Sequence, residues 1–592
     1  MILRSPIDPD RYVGTVTFVN ASSAQANLPF ATARPETRGL ALGAVGDFVF
    51  VDCESTKLLG RILEIKIPDG ERLSVEPQFG EPVTPHPIGR IQLLASLRQG
   101  ANVLTRGLQR HPRIGDGVYL AEPTLLSEII SNSVSKDNQL TLAVGRIDAS
   151  DGIEVRLPPE TIFGRHCGVF GATGGGKSWT VASLIHQVKK AGGKAIVFDP
   201  TGEFSGLQEA DARFAFDVTD GFDLVHFPYR QMTEDDLFSL LRPSGQSQGP
   251  KLRDAIKSLK LVQSLNGTVP NGLNCNGHTI VKANALRAPY FDAMRIHAAA
   301  LHSAFCNFDI EFLADQIRHE CVWQSAQGNV APSFGAVETN ALGYCESMIS
   351  RVGTAIHSKE LECIFKTNGA SLVSSLNEFL GDKTKDIAVI SFKEVRFEHH
   401  TREVLLNIIG RYLLGLARRD RFKERPIIVF LDEAHQFLGR TVGDEYGSVR
   451  LDSFGLIAKE GRKYGLTCVL ATQRPRDIPQ DVLSQLGTLF VHRLTNEHDR
   501  QTVESACGDL DRAAAQFIPM LTPGEAVLIG PDIPVPLPIR IDPPPSPPDS
   551  KGPPFQAYWR NRTDILEPDA QEPTPATVVA APSTELDDDV PF

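Results

Sequence analysis

The stretch GATGGGKSWT, residues 171–180, follows a short apolar run, HCGVF, and leads into a helical pattern. Gly171, Gly174, Gly175 and Gly176, with Thr173 among them, let successive backbone N–H groups curl around phosphate oxygens. The helix start adds the positive end of its dipole. In this spacing Lys177 reaches the β- and γ-phosphates and the Ser178 hydroxyl ligates Mg2+, with Trp179 next on the first helical turn. The cofactors predicted are therefore ATP and Mg2+. A chance glycine turn is the competing reading, and it explains neither the strand before nor the helix after.

A phosphate loop alone hydrolyses nothing; it needs a carboxylate for the metal and a group that orients water. The run PIIVFLDEAHQF (426–437) offers both at the end of a buried strand: Asp432 to hold Mg2+ and Glu433 to polarise the attacking water. The bland alternative is an acidic pair capping the next helix. ATQRP (471–475) places Gln473 at another strand tip, where it can sense the γ-phosphate or simply be a polar strand end. Arg165, Arg462, Arg493 and Arg500 lie near these motifs. An arginine that completes a neighbour's site is worth orders of magnitude in rate and implies a ring.

These residues need a frame. Up to about residue 130, short runs such as VGDFVFVDC (45–53), GRILEIKIP (60–68) and GDGVYLAEP (115–123) predict a small β-barrel. Residues 131–230 read as the first part of the core: 139–160 continues as extended structure leading into the phosphate loop, and from 164 apolar strands alternate with helices, which predicts a parallel sheet covered on both faces. Residues 231–380 have helical periodicity and read as an insertion. Residues 381–541 resume the sheet, with a long amphipathic helix at 402–419 and strands at 466–472, 486–494 and 525–530. The tail, 542–592, is Pro-rich and acidic and is expected to be disordered. The fold class is thus α/β with an N-terminal β-barrel, a helical insertion and a disordered C-terminal tail.

The net charge of −12 argues against coating nucleic acid with the whole surface, though not against a local basic channel. From Pro543 onward, nine acids and three bases supply half of that charge. The nine cysteines are scattered, with no C-x-x-C pair, which argues against structural zinc or a disulfide framework and for a reducing compartment. MILRSPIDPD has no signal-peptide pattern, and no apolar run is long enough to span a membrane. The expected location is cytoplasmic.

The segments RHCGVFGATGGGKS (165–178), FDPTGEF (198–204), VFLDEAHQF (429–437), IAKEGRKYGL (457–466), ATQRP (471–475), RLTNEHDRQ (493–501) and PGEAVLIG (523–530) resemble, in this order, the motifs of HerA-type ATPases within the HerA–FtsK group. The resemblance covers most of residues 1–541. It implies a RecA-like P-loop core and a homo-hexamer with ATP between neighbours and double-stranded DNA in the pore. By motif it assigns Lys177 and Ser178 to nucleotide and Mg2+, Asp432 and Glu433 to metal and catalysis, Gln473 to sensing, and Arg165 and Arg462 to action across the subunit boundary. At Asp199 and Glu203 the match is weaker, because Thr201 stands where the family usually has His or a similar residue. LDEAH also matches two-lobed DEAH-box helicases, but no second lobe or Q-x-x-G-R-x-G-R motif is present. The resemblance further implies a separate effector: a NurA-type nuclease in DNA end processing, or another nuclease or a sirtuin-like NAD-consuming protein in antiviral defence. An ATP-gated scaffold that activates an effector without processive translocation fits the same motifs.

The sequence finishes STELDDDVPF (583–592). Such runs are commonly solubilising. The order Asp587, Asp588, Asp589, then Pro591 and Phe592, also resembles the tail tip of bacterial single-stranded-DNA-binding proteins, which implies either a partner that reads such tails or self-inhibition.

Overall fold

A computed structural model describes residues 5–31, 43–54, 56–67, 87–98, 103–134, 139–147, 154–325, 332–367, 369–396, 400–444, 447–506, 515–550, 552, 555 and 559. The chain forms two units, Met1–Asp549 and Ser550–Phe592. Asp587, Asp588, Asp589, Pro591 and Phe592 lie outside the described residues.

The first strands are β1 (Tyr12–Val19), β2 (Ser23–Asn27), β3 (Phe48–Cys53), β4 (Thr56–Lys66), β5 (Ile88–Arg98), β6 (Val103–Arg106) and β7 (Gly117–Leu120). Their order is β2-β1-β7-β3-β4-β5-β6, and β5 also pairs back on β2, so six strands close into a barrel and β6 extends it. Val49, Val51, Leu58, Ile62 and Ile91 share one core. Phe50, Leu59, Ala95 and Leu97 pack instead with the helix that follows and with the larger sheet. Burial on both faces explains why FVFVDC reads as a continuous apolar run rather than an alternation. That following helix, α1 (Pro123–Val134), stands where the strand pattern predicts none. Its Leu125, Leu126, Ile129 and Ile130 form a stripe at helical spacing.

The hairpin β8 (Leu142–Arg146) and β9 (Glu154–Leu157) precedes α2 (Pro159–Phe163), β10 (His166–Phe170), α3 (Lys177–Lys190), β11 (Lys194–Asp199), β12 (Ala212–Ala215) and β13 (Asp223–His226). Then come α4 (Glu234–Leu241), α5 (Gly245–Leu265), α6 (Arg287–Ile296), α7 (Ala298–Leu301), α8 (Leu313–Glu320), α9 (Thr339–His357), α10 (Glu362–Phe365), β14 (Ala370–Ser371) and α11 (Leu372–Gly381). The chain returns through β15 (Ile387–Ser391), α12 (Thr401–Ala417), β16 (Ile427–Leu431), the hairpin β17 (Arg440–Asp444) and β18 (Gly447–Leu451), and α13 (Ser453–Glu460). It ends with β19 (Leu466–Thr472), α14 (Gln480–Leu483), β20 (Leu486–Val491), α15 (Glu497–Ala506), β21 (Glu525–Ile529) and β22 (Leu537–Arg540).

The 13-stranded sheet has the order β14-β13-β12-β15-β11-β16-β19-β10-β20-β21-β22-β8-β9. Strands β14 through β20 in that order run parallel, as the strand–helix alternation predicts. The other edge departs from that expectation: β21, β22, β8 and β9 are antiparallel. Of these pairs, β21–β22 and β8–β9 are joined directly in the chain, and antiparallel neighbours need no crossover helix. Strands β8 and β9, in the segment expected to be extended, are therefore the far rim of this sheet.

One face of the sheet packs on α1, α2 and α3. The other packs on α12, α13 and the inserted helices, in a single core that includes Leu237, Leu252, Ile349, Leu405 and Phe454. The insertion covers the outer side of α12, so the segment expected to be amphipathic is buried at most of its positions. A smaller apolar cluster around Leu261, Ile280, Tyr290 and Phe334 gives the insertion its own core. Beside it, Glu320 pairs with Lys282 and accepts from Ser258 Oγ (2.6 Å) and Gln316 Nε2 (2.9 Å), so its buried charge is satisfied.

The disorder expected from Pro543 does not extend to its first residues. Ser546 is buried, its hydroxyl accepts from Gln208 N (3.2 Å), and Asp549 N donates to Glu203 O (2.9 Å). These contacts tie the segment to the loop after β11, although it has no regular secondary structure. Among the described residues no helix is long and apolar enough to cross a membrane.

Candidate ATPase site

The sheet order brings the carboxyl ends of β11, β16, β19 and β10 side by side. The loop leaving β10 is tied to both flanking strands: Gly171 N donates to Thr472 O (3.3 Å) and Ala172 N to Arg493 O (2.8 Å). Gly174 and Gly176 have φ of +74° and +111°, which side chains resist. A Cβ on Gly171 would lie 2.6 Å from His492 Cβ. His492 is fully buried beneath the loop, with Nδ1 2.8 Å from Glu525 O and Nε2 2.8 Å from Thr180 Oγ1. The carbonyl can only accept, so Nδ1 carries the proton and Nε2 accepts from Thr180. Burial, with Lys177 nearby, drops His492 to a pKa of about 4, so the ring is neutral.

Lys177 is buried and bends back to Ala172 O (3.4 Å), inside the loop it is expected to serve. Ser178 is half-buried beside it and Trp179 is exposed on the same turn. Thr173 donates its hydroxyl to Gln473 Oε1 (2.7 Å), which joins the loop to the tip of β19.

Asp432 and Glu433 follow β16. Asp432 is buried, and burial, then Glu433, Glu203 and Asp199, push its pKa up to about 8. A carboxyl so placed ionises readily only beside a cation, so the chemistry of Asp432 fits a residue that would hold Mg2+. Asp199 behaves differently. Burial pushes it up to about 6, but its oxygens accept from Gly202 N (2.8 Å) and Phe204 N (2.9 Å). It shapes its own loop, while Glu203 Oε2 is buried without a hydrogen-bond partner. Glu433 adopts φ 45° and ψ 42°, a left-handed conformation uncommon for a residue with a side chain. Its Oε2 lies 3.2 Å from His435 Nδ1.

The two arginines expected to act in catalysis are not in this cluster. Arg165 precedes β10 and Arg462 precedes β19, so both sit at the amino edge of the sheet and are exposed. The five residues of β10 separate that edge from the loop by about 17 Å at roughly 3.3 Å per residue. The stem of Arg165 lies across Gly487, where a Cβ would fall 2.5 Å from Arg165 Cβ. Arg462 is close enough to buried His166 to help depress its pKa to about 4, after the larger effect of burial.

The structure thus gathers Gly171, Thr173, Gly174, Gly175, Gly176, Lys177, Ser178, Asp432, Glu433 and Gln473, and leaves Arg165 and Arg462 apart. It adds His492, which follows an apolar strand outside the contiguous loop and acid motifs, and His435 and Thr472, which lie within VFLDEAHQF and ATQRP without a role being assigned to them there. Arg493 was visible only as one of several arginines; its carbonyl meets the loop and its side chain is exposed.

Comparison with known proteins bears on this site. Residues 142–270 match the family model described as helicase HerA, central domain. A probable helicase of Methanocaldococcus jannaschii is 23% identical over 520 residues, 84% of this chain and 86% of that one. The DNA double-strand break repair helicase HerA of Pyrococcus furiosus is 24% identical over 456 residues, 72% of this chain and 73% of its own. The namesake from Saccharolobus solfataricus is 23% identical over 513 residues, 84% of this chain and 87% of its own. Among solved structures, the bacterial conjugative coupling protein TrwB aligns with a TM-score of 0.41 at 14% identity, over 72% of this chain and 92% of that one. VirB4 of Thermoanaerobacter pseudethanolicus aligns with a TM-score of 0.40 at 13% identity, over 70% of this chain and 98% of that one.

Proposed function

We propose that this chain, an ATP-hydrolysing relative of the HerA-type helicases, is the motor subunit of a homo-hexameric ring that translocates double-stranded DNA for a separate effector. The observation that carries the reading is the split between the two edges of the sheet. Loop, acids and Gln473 meet at the carboxyl edge, and the exposed arginines stand at the amino edge. A site of that kind is complete only when a second copy brings its amino edge to the loop.

In this reading the N–H groups of the loop and Lys177 bind the β- and γ-phosphates. Ser178 and Asp432 hold Mg2+, which supplies charge neutralisation there. Glu433 accepts a proton from the attacking water as the water oxygen bonds to the γ-phosphorus and the bond from that phosphorus to the β–γ bridging oxygen breaks, releasing ADP. Gln473 leaves Thr173 for the γ-phosphate, and Arg165 and Arg462 of the adjoining copy meet the charge on the transferring γ-phosphoryl group and the departing ADP. The effector is a NurA-type or other nuclease, or a NAD-consuming protein, in DNA end processing or antiviral defence. The acidic segment at 583–592 recruits a reader of such tails or restrains the motor.

The test is ATP turnover with and without long duplex DNA, on full-length protein sized by light scattering, for wild type and Glu433→Gln. The expected result is a hexamer whose turnover rises with DNA and falls about 10³-fold in the variant while nucleotide binding persists. A hexamer indifferent to DNA favours the gated scaffold. A monomer would sink both ring readings.

A further inference from the structure

Glu433 is not free to find water by itself. Its Oε2 is buried and has no hydrogen-bond partner, although His435 Nδ1 lies 3.2 Å away at an unfavourable angle. The same Nδ1 is 3.1 Å from Thr472 Oγ1. Thr472 is the last residue of β19 and is fully buried; its hydroxyl accepts from Arg474 N (3.0 Å) and its carbonyl from Gly171 N (3.3 Å). Its neighbour Gln473 accepts from Thr173 on the loop. Side chains and backbone therefore run by hydrogen bonds from the phosphate loop, through the tip of β19, to the imidazole, which lies 3.2 Å short of the unpartnered carboxylate oxygen.

One ring nitrogen here serves two oxygens, and it has a single bonding position. With a proton on Nδ1, the ring donates and a small rotation satisfies Glu433 Oε2. Without it, Nδ1 accepts from the Thr472 hydroxyl, its lone pair is directed there, and Glu433 Oε2 has no donor from the ring. The tautomer chosen at His435 thus sets where the carboxylate rests, and Thr472 biases that choice. The left-handed backbone of Glu433 fixes where the side chain starts, so its aim depends on what the carboxylate touches.

We propose that His435 is the positioning residue of Glu433, and that Thr472 couples this imidazole to the γ-phosphate reader Gln473. When Gln473 turns from Thr173 to nucleotide, the β19 tip shifts, Thr472 gives up Nδ1, and the ring N–H aligns Glu433 for water. No bond to substrate forms at His435. The inference rests on Glu433 being the group that activates water, as proposed above.

The experiment compares full-length wild type, His435→Ala, His435→Asn, Thr472→Val, Thr472→Ser and Glu433→Gln for ATP kcat, KM and nucleotide binding in the presence of duplex DNA. His435→Ala is expected to lose roughly 30- to 100-fold in kcat with KM within about twofold, the scale of a misaimed catalytic group. His435→Asn, whose amide can still donate to the carboxylate, should recover most of that loss. Thr472→Val should shift kcat several-fold and Thr472→Ser should match wild type. The proposal is overturned if His435→Ala turns over normally while Glu433→Gln is inactive, or if Asn fails to rescue and KM rises with the loss. Should His435→Ala not fold, the Asn variant and the Thr472 pair still decide it. Turnover surviving in Glu433→Gln would instead remove the reading of Glu433 itself.

Discussion

The two edges of the large sheet solve different problems. At the carboxyl edge, backbone and short side chains are closely packed: a glycine seated on His492, a buried Asp432 among other carboxylates, and Glu433 in a left-handed conformation. At the amino edge, Arg165 and Arg462 reach into solvent from an ordered base formed by Gly487 and His166. Rigid binding suits a ligand of fixed shape. A long cation on a firm footing suits a target that arrives on another molecule. The proposed shared site rests on that division of labour more than on any single residue.

The sharpest way to break this contrast is at Arg165. Arg165→Ala should lower turnover by roughly 10³-fold with nucleotide affinity kept. Mixed with Lys177→Ala, itself inactive, it should regain activity well above either protein alone, because some interfaces then pair an intact loop with an intact arginine. Absence of recovery in mixed rings would mean that the edges do not complement one another.

One glycine at each edge sharpens the comparison further. Gly171→Ala forces a Cβ to 2.6 Å from His492 Cβ, and should cost about 1–3 kcal/mol of stability and weaken nucleotide binding by about tenfold or more. Gly487→Ala displaces the Arg165 stem and should lower kcat while binding stays intact. Equilibrium titration beside steady-state kinetics separates the two signatures. Identical signatures would contradict the assignment of binding to one edge and rate to the other.

The smallest effect concerns acid. His166 near one edge and His492 near the other are both held neutral, at pKa values of about 4 against an ordinary 6.5. Below pH 6.5 the unfolded chain takes up protons that the folded chain refuses. Stability is therefore full above that pH and falls down to about pH 4, by on the order of 3 kcal/mol for each ring. Replacing either by Asn should flatten the pH dependence of denaturant midpoints between 7 and 4.5 by up to one proton. Only His492→Asn should also weaken nucleotide binding. An unchanged slope would show that the rings are not buried as neutral species.

The carboxyl edge was legible in the sequence because its chemistry is written in short contiguous words. GATGGGKS, LDEAH and ATQRP each carry their own strand and turn, so the sheet only has to align them. His492 was not legible: it follows an ordinary apolar strand, and its meaning comes from Thr180, 312 residues away. His435 sat inside a motif, but its contact with Thr472 belongs to the neighbouring strand. The helix PTLLSEIISNSV was hidden by the strand rhythm on either side, although its apolar residues recur at helical spacing. The antiparallel rim was hidden because a buried strand reads alike in either direction. The first residues after Pro543 misled by composition, since proline-rich chain without a ladder partner can still be pinned by one serine and one backbone N–H.

The place of β10 in the sheet has a consequence for synthesis. Its neighbours, β19 and β20, emerge from the ribosome some 300 residues later, as the 312-residue span from Thr180 to His492 makes plain. At about 5–20 residues per second, the loop waits roughly 15–60 s before the strands that brace it exist. The barrel closes within its own stretch of chain, and the insertion has a core of its own. The nascent protein would thus carry a closed barrel and an insertion with only its smaller core complete around an open, apolar strand, and the wait for β20 is the interval in which a chaperone matters most.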